Sequence, residues 1–270
     1  MKYVVCCAAT APIRLHASHQ SEMVSQMLLG ETAEVLVEEE HFWQVRQCMD
    51  GYEGWLHVAQ LQVVLNARGT LQPLYFITQP AVFAKLENDT IHLPIGTPLP
   101  EFSSQKWIGR QRLKVPRKYH WPVPAVPAEQ HVETLLNTLV HTPYLWGGRS
   151  SFGIDCSGLV QLVFKCLGIA IPRDASEQVL LGTPIGFLAE CTIGDVAFFD
   201  DTEGKITHVG ILLNENTIVH AYGRVRVDAI DPTGIINKEF GRRTHNLRVI
   251  KRFKELSATL VSPDGSTSIA

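Results

Sequence analysis

Residues 155–160 read Asp155-Cys156-Ser157-Gly158-Leu159-Val160 and open the stretch that decides the fold of the second half of the chain. Apolar residues recur with helical spacing from here on, at Leu159, Val160, Val163, Phe164 and Leu167. The spacing predicts a helix that buries one face, with Cys156 at or near its N-terminus. Because the helix macrodipole stabilises an anion at that end, we expect a lowered thiol pKa and a nucleophilic Cys156. The alternative is a buried cysteine that lies at a helix start by chance.

Two histidines downstream lie on a predicted antiparallel hairpin, whose strands 207–213 and 217–221 are joined by a short polar turn. If that turn centres near residue 215, Gly210 lies opposite His220. Side chains alternate between the faces of a strand, so His208 is then the diagonal neighbour of His220 on the same face. The hairpin therefore predicts that His220 orients His208.

Cys156, His208 and His220 together supply the nucleophile, the base and the orienter of the base in a thiol hydrolase. The alternative is two unrelated strand histidines with structural hydrogen bonds, because the chain has 11 histidines. The two histidines lie on the same face of one predicted hairpin, and a cysteine lies at a predicted helix start. This combination favours the catalytic interpretation.

The first 115 residues predict small all-β domains. Short β-branched stretches punctuated by turns predict a barrel over residues 1–65, with Asp50-Gly51 as the tight turn of a hairpin. A weaker pattern of the same kind, from Leu74 to Gly109, predicts a second, degenerate barrel over residues 66–115. Four prolines, at Pro116, Pro122, Pro124 and Pro127, then predict a linker over residues 116–127.

Residues 128–256 combine helical and strand patterns. Val132, Leu135, Leu136, Leu139 and Val140 predict a helix with one buried face before Cys156. Apolar stretches at 196–199, 209–213 and 217–221 predict strands after it, which indicates an α+β domain. The small polar residues 257–270 predict a flexible tail.

Composition excludes several classes of function. The 270 residues are 45% hydrophobic and carry a net charge of -3, without a basic cluster that would suit nucleic acid. No uncharged apolar stretch reaches the ~20 residues of a membrane helix, and the apolar start is interpreted as a β-strand rather than a signal peptide. A cytoplasmic location is therefore expected. The six cysteines lack zinc-site spacing, so neither a metal nor a cofactor is predicted.

Several motifs follow one another in the order that NlpC-type, papain-like cell-wall peptidases show. They are Tyr144-Leu145-Trp146-Gly147-Gly148, Asp155-Cys156-Ser157-Gly158-Leu159-Val160, Pro172-Arg173-Asp174-Ala175-Ser176-Glu177-Gln178, Gly194-Asp195-Val196-Ala197-Phe198-Phe199, His208-Val209-Gly210-Ile211 and His220-Ala221. The chain resembles this family over about residues 128–252. Ala11-Pro12-Ile13-Arg14-Leu15, Leu29-Gly30-Glu31 and Asp50-Gly51-Tyr52-Glu53-Gly54-Trp55 likewise resemble a bacterial SH3-like domain.

The resemblance implies an α+β fold, in which a papain-like cysteine peptidase domain follows one or two small all-β SH3-like barrels. It is strongest to γ-D-glutamyl-L-diamino acid endopeptidases, which cut murein stem peptides between D-Glu and the diamino acid. Cys156, His208 and His220 would be the catalytic triad. Tyr144 would help to stabilise the reacting carbonyl, as a hydroxyl aimed at a developing oxyanion does.

The resemblance also implies the substrate. The partner would be a murein peptide, L-Ala-γ-D-Glu-diamino acid, with a free N-terminal L-Ala, as in cell-wall peptide recycling. Candidate residues for its binding are Asp155, Ser157, Trp146, Arg173, Asp174, Glu22 and Tyr52. Two other functions remain open at this point: a non-catalytic protein that binds cell-wall peptides, and an acyltransferase on the same fold.

Overall fold

The computed structural model describes residues 1–64, 75–99, 105–108, 110–125 and 127–253. The chain divides into two compact units. Of the described residues, unit 1 comprises Met1–Val123 and Trp146–Phe152, and unit 2 comprises Pro124–Leu145 and residues 153–253. Within the described residues, no helix is long and apolar enough to cross a membrane. The predicted tail 257–270, together with Leu74 and Gly109 of the second predicted barrel, lies outside the described residues.

Unit 1 is built from β-strands. They are β1 Lys2–Cys6, β2 Thr10–Arg14, β3 Met23–Leu28, β4 Thr32–Glu38, β5 Phe42–Gln47, β6 Glu53–His57, β7 Leu61–Val64, β8 Tyr75–Phe76, β9 Ala81–Leu86, β10 Asp89–Pro94, β11 Pro98–Leu99, β12 Gln105–Ile108, β13 Gln111–Lys114, β14 Trp121–Pro122 and β15 Arg149–Ser150. Part of the predicted linker therefore forms a strand, because β14 pairs with β8.

The first seven strands form one antiparallel sheet in the order β3-β2-β6-β5-β4-β1-β7. Apolar side chains from alternate positions, such as Val4, Ile13, Val45 and Leu56, fill its core. The β5–β6 hairpin is present, and Gly51 has the positive φ of 73° expected at its turn. The turn is longer than the predicted two residues, because the N–H of Gln47 donates to the carbonyl of Tyr52 across four intervening residues.

The described strands between residues 75 and 122 form two further antiparallel sheets, in the orders β10-β9-β13-β12 and β11-β8-β14. Their core includes Ile77, Leu93 and Leu113, and it also contains Val5 and Leu29 from the first sheet. The two β-regions thus share buried apolar surface within one unit.

Unit 2 contains three α-helices and a large sheet within its described residues. The elements are α1 Glu129–Leu139, β16 Gly153–Ile154, α2 Cys156–Cys166, α3 Ala175–Gln178, β17 Thr183–Ile185, β18 Val196–Asp200, β19 Ile206–Asn214, β20 Thr217–Tyr222, β21 Arg224–Asp231, β22 Gly234–Asn237 and β23 Arg242–Arg252. The sheet order is β17-β23-β18-β19-β20-β21-β22, and β22 also pairs with β23. Six strands therefore close into a ring.

The two long helices bury different fractions of their surface. Helix α1 buries the predicted face, Val132, Leu135, Leu136 and Leu139. Helix α2, which packs on β19 and β20, buries all eleven of its residues, so the prediction of one buried face was wrong for it. Gln161 shows how a polar residue is accommodated there, since its amide N–H donates to the carbonyl of Ile171 at 3.0 Å.

Candidate active site

Cys156 is the first residue of α2, as the sequence predicts. Asp155 caps this helix, because its carboxylate accepts a hydrogen bond of 2.7 Å from the N–H of Gly158. The Cys156 side chain is buried, and the backbone N–H groups of Ser157 and Val209 are placed to stabilise its thiolate. Val209 directly follows His208 on β19. The helix start thus brings the thiol to the strand segment that carries the predicted base.

The thiol pKa differs from the expectation drawn from the helix start. Burial, reinforced by the negative charge of Asp155, raises the pKa of Cys156 to about 12. The N–H groups of Ser157 and Val209 and the positive charge of Arg173 lower it by less. Desolvation of the charged form therefore outweighs the stabilisation of a thiolate, and the prediction of a lowered pKa was wrong.

His208 and His220 meet as the hairpin register predicts. Gly210 pairs directly with His220, and Nε2 of His208 lies 2.8 Å from Nδ1 of His220. Both side chains are buried. The hydrogen bond uses Nε2 of His208 and leaves its Nδ1 for a reacting thiol.

The two imidazoles are neutral in this environment. Burial, together with the nearby His245 and His220, lowers the pKa of His208 well below its usual 6.5. The pKa of His220 is also lowered, mainly by burial, although Asp228 opposes the shift. The free site therefore holds a neutral thiol and a neutral base, and the base can take the proton of the thiol during attack.

The sequence interpretation missed two polar residues that extend this pair. Asp228 on β21 lies 3.1 Å from Nε2 of His220, and Arg226 on the same strand binds Asp228 with its Nε at 2.6 Å. The signal was present, because the tight turn at Gly223 places 226 and 228 on the face of His220 by the same alternation that related His208 to His220.

His245 on β23 was also missed. Its ring stacks on His208, with centroids 4.0 Å apart and an interplanar angle of 21°. The ring nitrogens of His208, His220 and His245 lie within 4.8 Å of one another, as metal ligands would. Two of these rings are joined by a hydrogen bond, and the stacked pair is nearly parallel, whereas metal-bound imidazoles converge on one point. Hydrogen bonding and stacking hold the three rings together.

Tyr144 lies close enough to Cys156 and Asp155 for their negative charges to raise the pKa of its phenol. Its N–H donates to the carbonyl of Gly223 at 3.1 Å, which ties it to the turn after β20. Burial raises the pKa of its phenol to about 12, so the hydroxyl stays protonated and can donate a hydrogen bond.

Asp155, Ser157 and Arg173 form a buried network. The Arg173 guanidinium donates to the Asp155 carboxylate and, at 2.7 Å, to the hydroxyl of Ser157. The Asp155 carboxylate is thus compensated by a guanidinium as well as by the helix start. Asp174 precedes α3, and its carbonyl accepts from the N–H groups of Glu177 and Gln178. A role of these four residues in substrate binding stays a prediction.

The remaining candidate residues belong to unit 1. The Trp146 indole, which is 60% exposed, donates to the Glu22 carboxylate at 2.6 Å. Tyr52 closes the β5–β6 turn, where its N–H donates to the side chain of Asp50 at 3.0 Å. Contributions of Glu22, Tyr52 and Trp146 to substrate binding also stay predictions.

Comparison with known proteins identifies the family. The NlpC/P60 family model matches residues 141–244, and the model of the bacterial dipeptidyl-peptidase Sh3 domain matches residues 13–61. The γ-D-glutamyl-L-lysine dipeptidyl-peptidase of Bacillus subtilis (strain 168) is 31% identical over 225 residues, which cover 77% of this chain and 75% of that protein. The chain belongs to the NlpC/P60 family. It is therefore a cysteine peptidase of the cell-wall type, with an SH3-like domain, as the sequence motifs predict.

Two further similarities agree with this membership. The protein of the same name from Bacillus cereus (strain ATCC 10987 / NRS 248) is 24% identical over 266 residues, covering 86% of this chain and 78% of that protein. A crystal structure of an NlpC/P60 family protein from Bacillus cereus ATCC 10987 matches with a TM-score of 0.78 at 19% identity. The match covers 93% of this chain and 99% of that chain, and it confirms the α+β fold; the N-terminal SH3-like domain is shown by the family model over residues 13–61.

Proposed function

We propose that this NlpC/P60 peptidase hydrolyses the γ-D-glutamyl bond to the diamino acid in murein stem peptides that have a free N-terminal L-Ala. The observation that carries the proposal is the site in unit 2, where the N–H of Val209 faces a helix-start thiol and the preceding residue, His208, forms a hydrogen-bonded pair with His220. Its substrate is inferred from two relatives named as γ-D-glutamyl-L-lysine dipeptidyl-peptidases.

The site supports hydrolysis in two steps. Nδ1 of His208 takes the thiol proton while the sulfur of Cys156 attacks the γ-carbonyl carbon of D-Glu. The carbonyl electrons move to oxygen, where the hydroxyl of Tyr144 and the N–H of Cys156 would donate hydrogen bonds. The C–N bond then breaks, and the amine leaves with the proton from His208. Water, deprotonated by His208, hydrolyses the thioester and releases the thiol and the carboxylic acid.

Turnover of L-Ala-γ-D-Glu-diaminopimelate, followed by mass spectrometry, tests this proposal. Wild type should release L-Ala-D-Glu, whereas Cys156→Ala should be inactive and fully folded, because alanine is accepted in a first helical turn. His208→Ala should lose about as much activity, and His220→Ala should retain more, as expected when it orients the base. Activity in Cys156→Ala would exclude the assigned nucleophile.

The requirement for a free amine is a separate part of the proposal. Carboxylates at the N-terminal end of the bound peptide would pair with its ammonium group, so N-acetylation should lower kcat/KM roughly a hundredfold. Glu22→Gln and Asp155→Asn should reduce this preference, and Glu40→Gln is the matched control because its carboxylate is 88% exposed. Equal cleavage of free and acetylated peptide would contradict amine recognition.

Because Asp155 also compensates Arg173, the unfolding of Asp155→Asn must be measured beside its activity. A preference that survives both variants would show that other residues bind the amine.

A peptidase that needs a free L-Ala amine would act on released peptides rather than intact wall, where that nitrogen is amide-linked to the glycan. We therefore propose a role in peptide recycling, in the cytoplasm. Cell fractionation with an antibody to the chain tests the location. An acyltransferase on the same fold would instead transfer the acyl group to an added amine, which the same mass-spectrometric assay would detect.

A further inference from the structure

The hydrogen-bonded chain of the active site continues past its two histidines. Asp228 lies on β21, and its register places it diagonally across from His220, because Ile218 pairs with Asp228 and His220 pairs with Arg226. Its side chain has no exposed surface. Its Oδ2 lies 3.1 Å from Nε2 of His220.

Asp228 is held as a carboxylate by donors on several sides. Arg226 binds both of its oxygens, at 2.6 and 3.3 Å, and the N–H of Lys238 donates to Oδ1 at 3.0 Å. The Asn237 amide lies 3.4 Å from Oδ2. Burial raises its pKa, but hydrogen bonds from His220, Arg226 and Lys238 prevail and hold it well below the usual range. Asp228 is therefore ionised and can only accept hydrogen bonds.

Because Asp228 is ionised, it determines which nitrogen of each histidine ring carries the proton. Nε2 of His220 must carry a proton to donate to it. Since His220 is neutral, its Nδ1 has a lone pair and must accept from Nε2 of His208 across 2.8 Å. Nε2 of His208 therefore carries the proton of that ring, and its Nδ1 does not.

We propose that Asp228 is a positioning residue, which fixes the tautomers of His220 and His208 so that Nδ1 of His208 is free to take the proton of Cys156. The inference rests on the proposed roles of Cys156 and His208. Asp228 touches neither the substrate nor the thiol, and it acts through His220. Without its charge, His220 gains nothing from keeping its proton on Nε2, and the ring of the base loses its fixed proton arrangement.

Other charged and titratable groups leave this arrangement intact. Arg226 also binds Glu239 at 2.9 Å, so its positive charge is shared between two carboxylates. On β23, His245 is kept neutral, because its burial and the neighbouring His220 lower its pKa to about 4. Above that pH, Asp228 and Arg226 are the charged groups that contact the His220 and Asp228 side chains among the described residues.

Asp228→Asn tests the proposal, because an amide replaces one acceptor oxygen with a donor. We expect the amide oxygen to take the place of Oδ1, where the N–H of Lys238 and Nη2 of Arg226 donate. The NH₂ group then takes the place of Oδ2, where it faces Nε2 of His220 and where Nε of Arg226 loses its acceptor. Both histidines must then reverse their tautomers, and Nδ1 of His208 becomes protonated. We expect kcat for the tripeptide to fall roughly 100- to 10,000-fold with little change in KM. Asp231→Asn is the matched control: it makes the same change on the same strand, at a carboxylate that is 35% exposed and paired with Arg243.

Nitrogen NMR of the histidine rings measures the tautomers directly. A purely structural role of Asp228 would not change them. In wild type, His208 and His220 should each carry their proton on Nε2, and Asp228→Asn should move it to Nδ1. A proton on Nδ1 of His208 in wild type overturns the proposal, even if the variant does not fold. So does wild-type kcat in Asp228→Asn, or a loss of activity that only follows the loss of folded protein.

The same measurements separate this inference from the proposed function. Failure of wild type to cleave the tripeptide would contradict the proposed substrate, and the ring tautomers would still be measurable. Conversely, cleavage that requires Cys156 with unchanged tautomers in Asp228→Asn would leave the peptidase assignment intact and exclude the role of Asp228.

Discussion

Gly210 lies directly opposite His220 on the neighbouring strand, and a β-carbon at position 210 would lie 2.9 Å from the β-carbon of His220. The same atom would lie 2.8 Å from Cδ1 of Ile218 and 2.9 Å from the carbonyl oxygen of Val219. Strand β19 therefore needs a residue without a side chain here, so that the ring of His220 can reach His208.

Gly210→Ala should consequently displace His220 and lower kcat, with a loss of about 1–3 kcal/mol in the free energy of unfolding from overpacking. Urea unfolding and tripeptide turnover measure the two effects. Gly186→Ala is the control, because the atom nearest to a β-carbon there is 4.0 Å away. Wild-type kcat in Gly210→Ala would show that the active site tolerates a shift of β20.

The pH dependence should follow the neutral thiol and imidazole. Because the pKa of His208 is lowered, its base form persists as pH falls through 6.5, and kcat/KM should fall only below that pH. The raised pKa of Cys156 predicts no thiolate at pH 7. The ultraviolet absorbance of the thiolate, taken as wild type minus Cys156→Ser, measures this directly. A thiolate signal at pH 7 in the free enzyme would contradict the prediction.

Arg173→Met should destabilise unit 2. The Arg173 and Asp155 side chains are 2% and 7% exposed, so removing the guanidinium takes the counter-charge from a buried carboxylate, at a cost of about 3–5 kcal/mol. Because Arg173 lowers the pKa of Cys156, activity should fall as well. Arg248→Met is the control, because Arg248 is 64% exposed and its pair with Asp200 spans 3.6 Å. An unchanged unfolding midpoint in Arg173→Met would refute the stabilising role of this pair.

Tyr144→Phe should lower kcat by about 100- to 1,000-fold with little effect on KM, if its protonated phenol donates to the oxyanion. Steady-state kinetics on the tripeptide separate the two parameters. Tyr3→Phe is the control, because it removes an exposed hydroxyl that donates to the Met1 sulfur, and it should leave kcat unchanged. A rise in KM at constant kcat would instead indicate ground-state binding of the substrate.

The position of the catalytic pair was predictable because strand alternation and one turn suffice to relate residues 208 and 220. Asp228 obeys the same rule across the next turn, so it was within reach of the sequence. The thiol pKa was not, since it depends on how completely the folded chain excludes water from Cys156. The complete burial of α2 could not be predicted either, because Gln161 and Lys165 are polar residues of the kind found on an exposed helix face, although both are buried.

Unit 1 cannot be completed until Arg149 has been synthesised. Its guanidinium is 3% exposed and lies among groups of the first sheet: it donates to the carbonyl of Gln26 at 2.5 Å and to the Gln47 side chain at 3.0 Å, with Glu31 at 3.5 Å. The ribosome releases this residue only after Pro124–Leu145, which belong to the other unit. The nascent N-terminal sheet therefore lacks the cation that lies beside Glu31 until translation has passed into the peptidase segment. A fragment ending at Val123 would be missing that cation permanently.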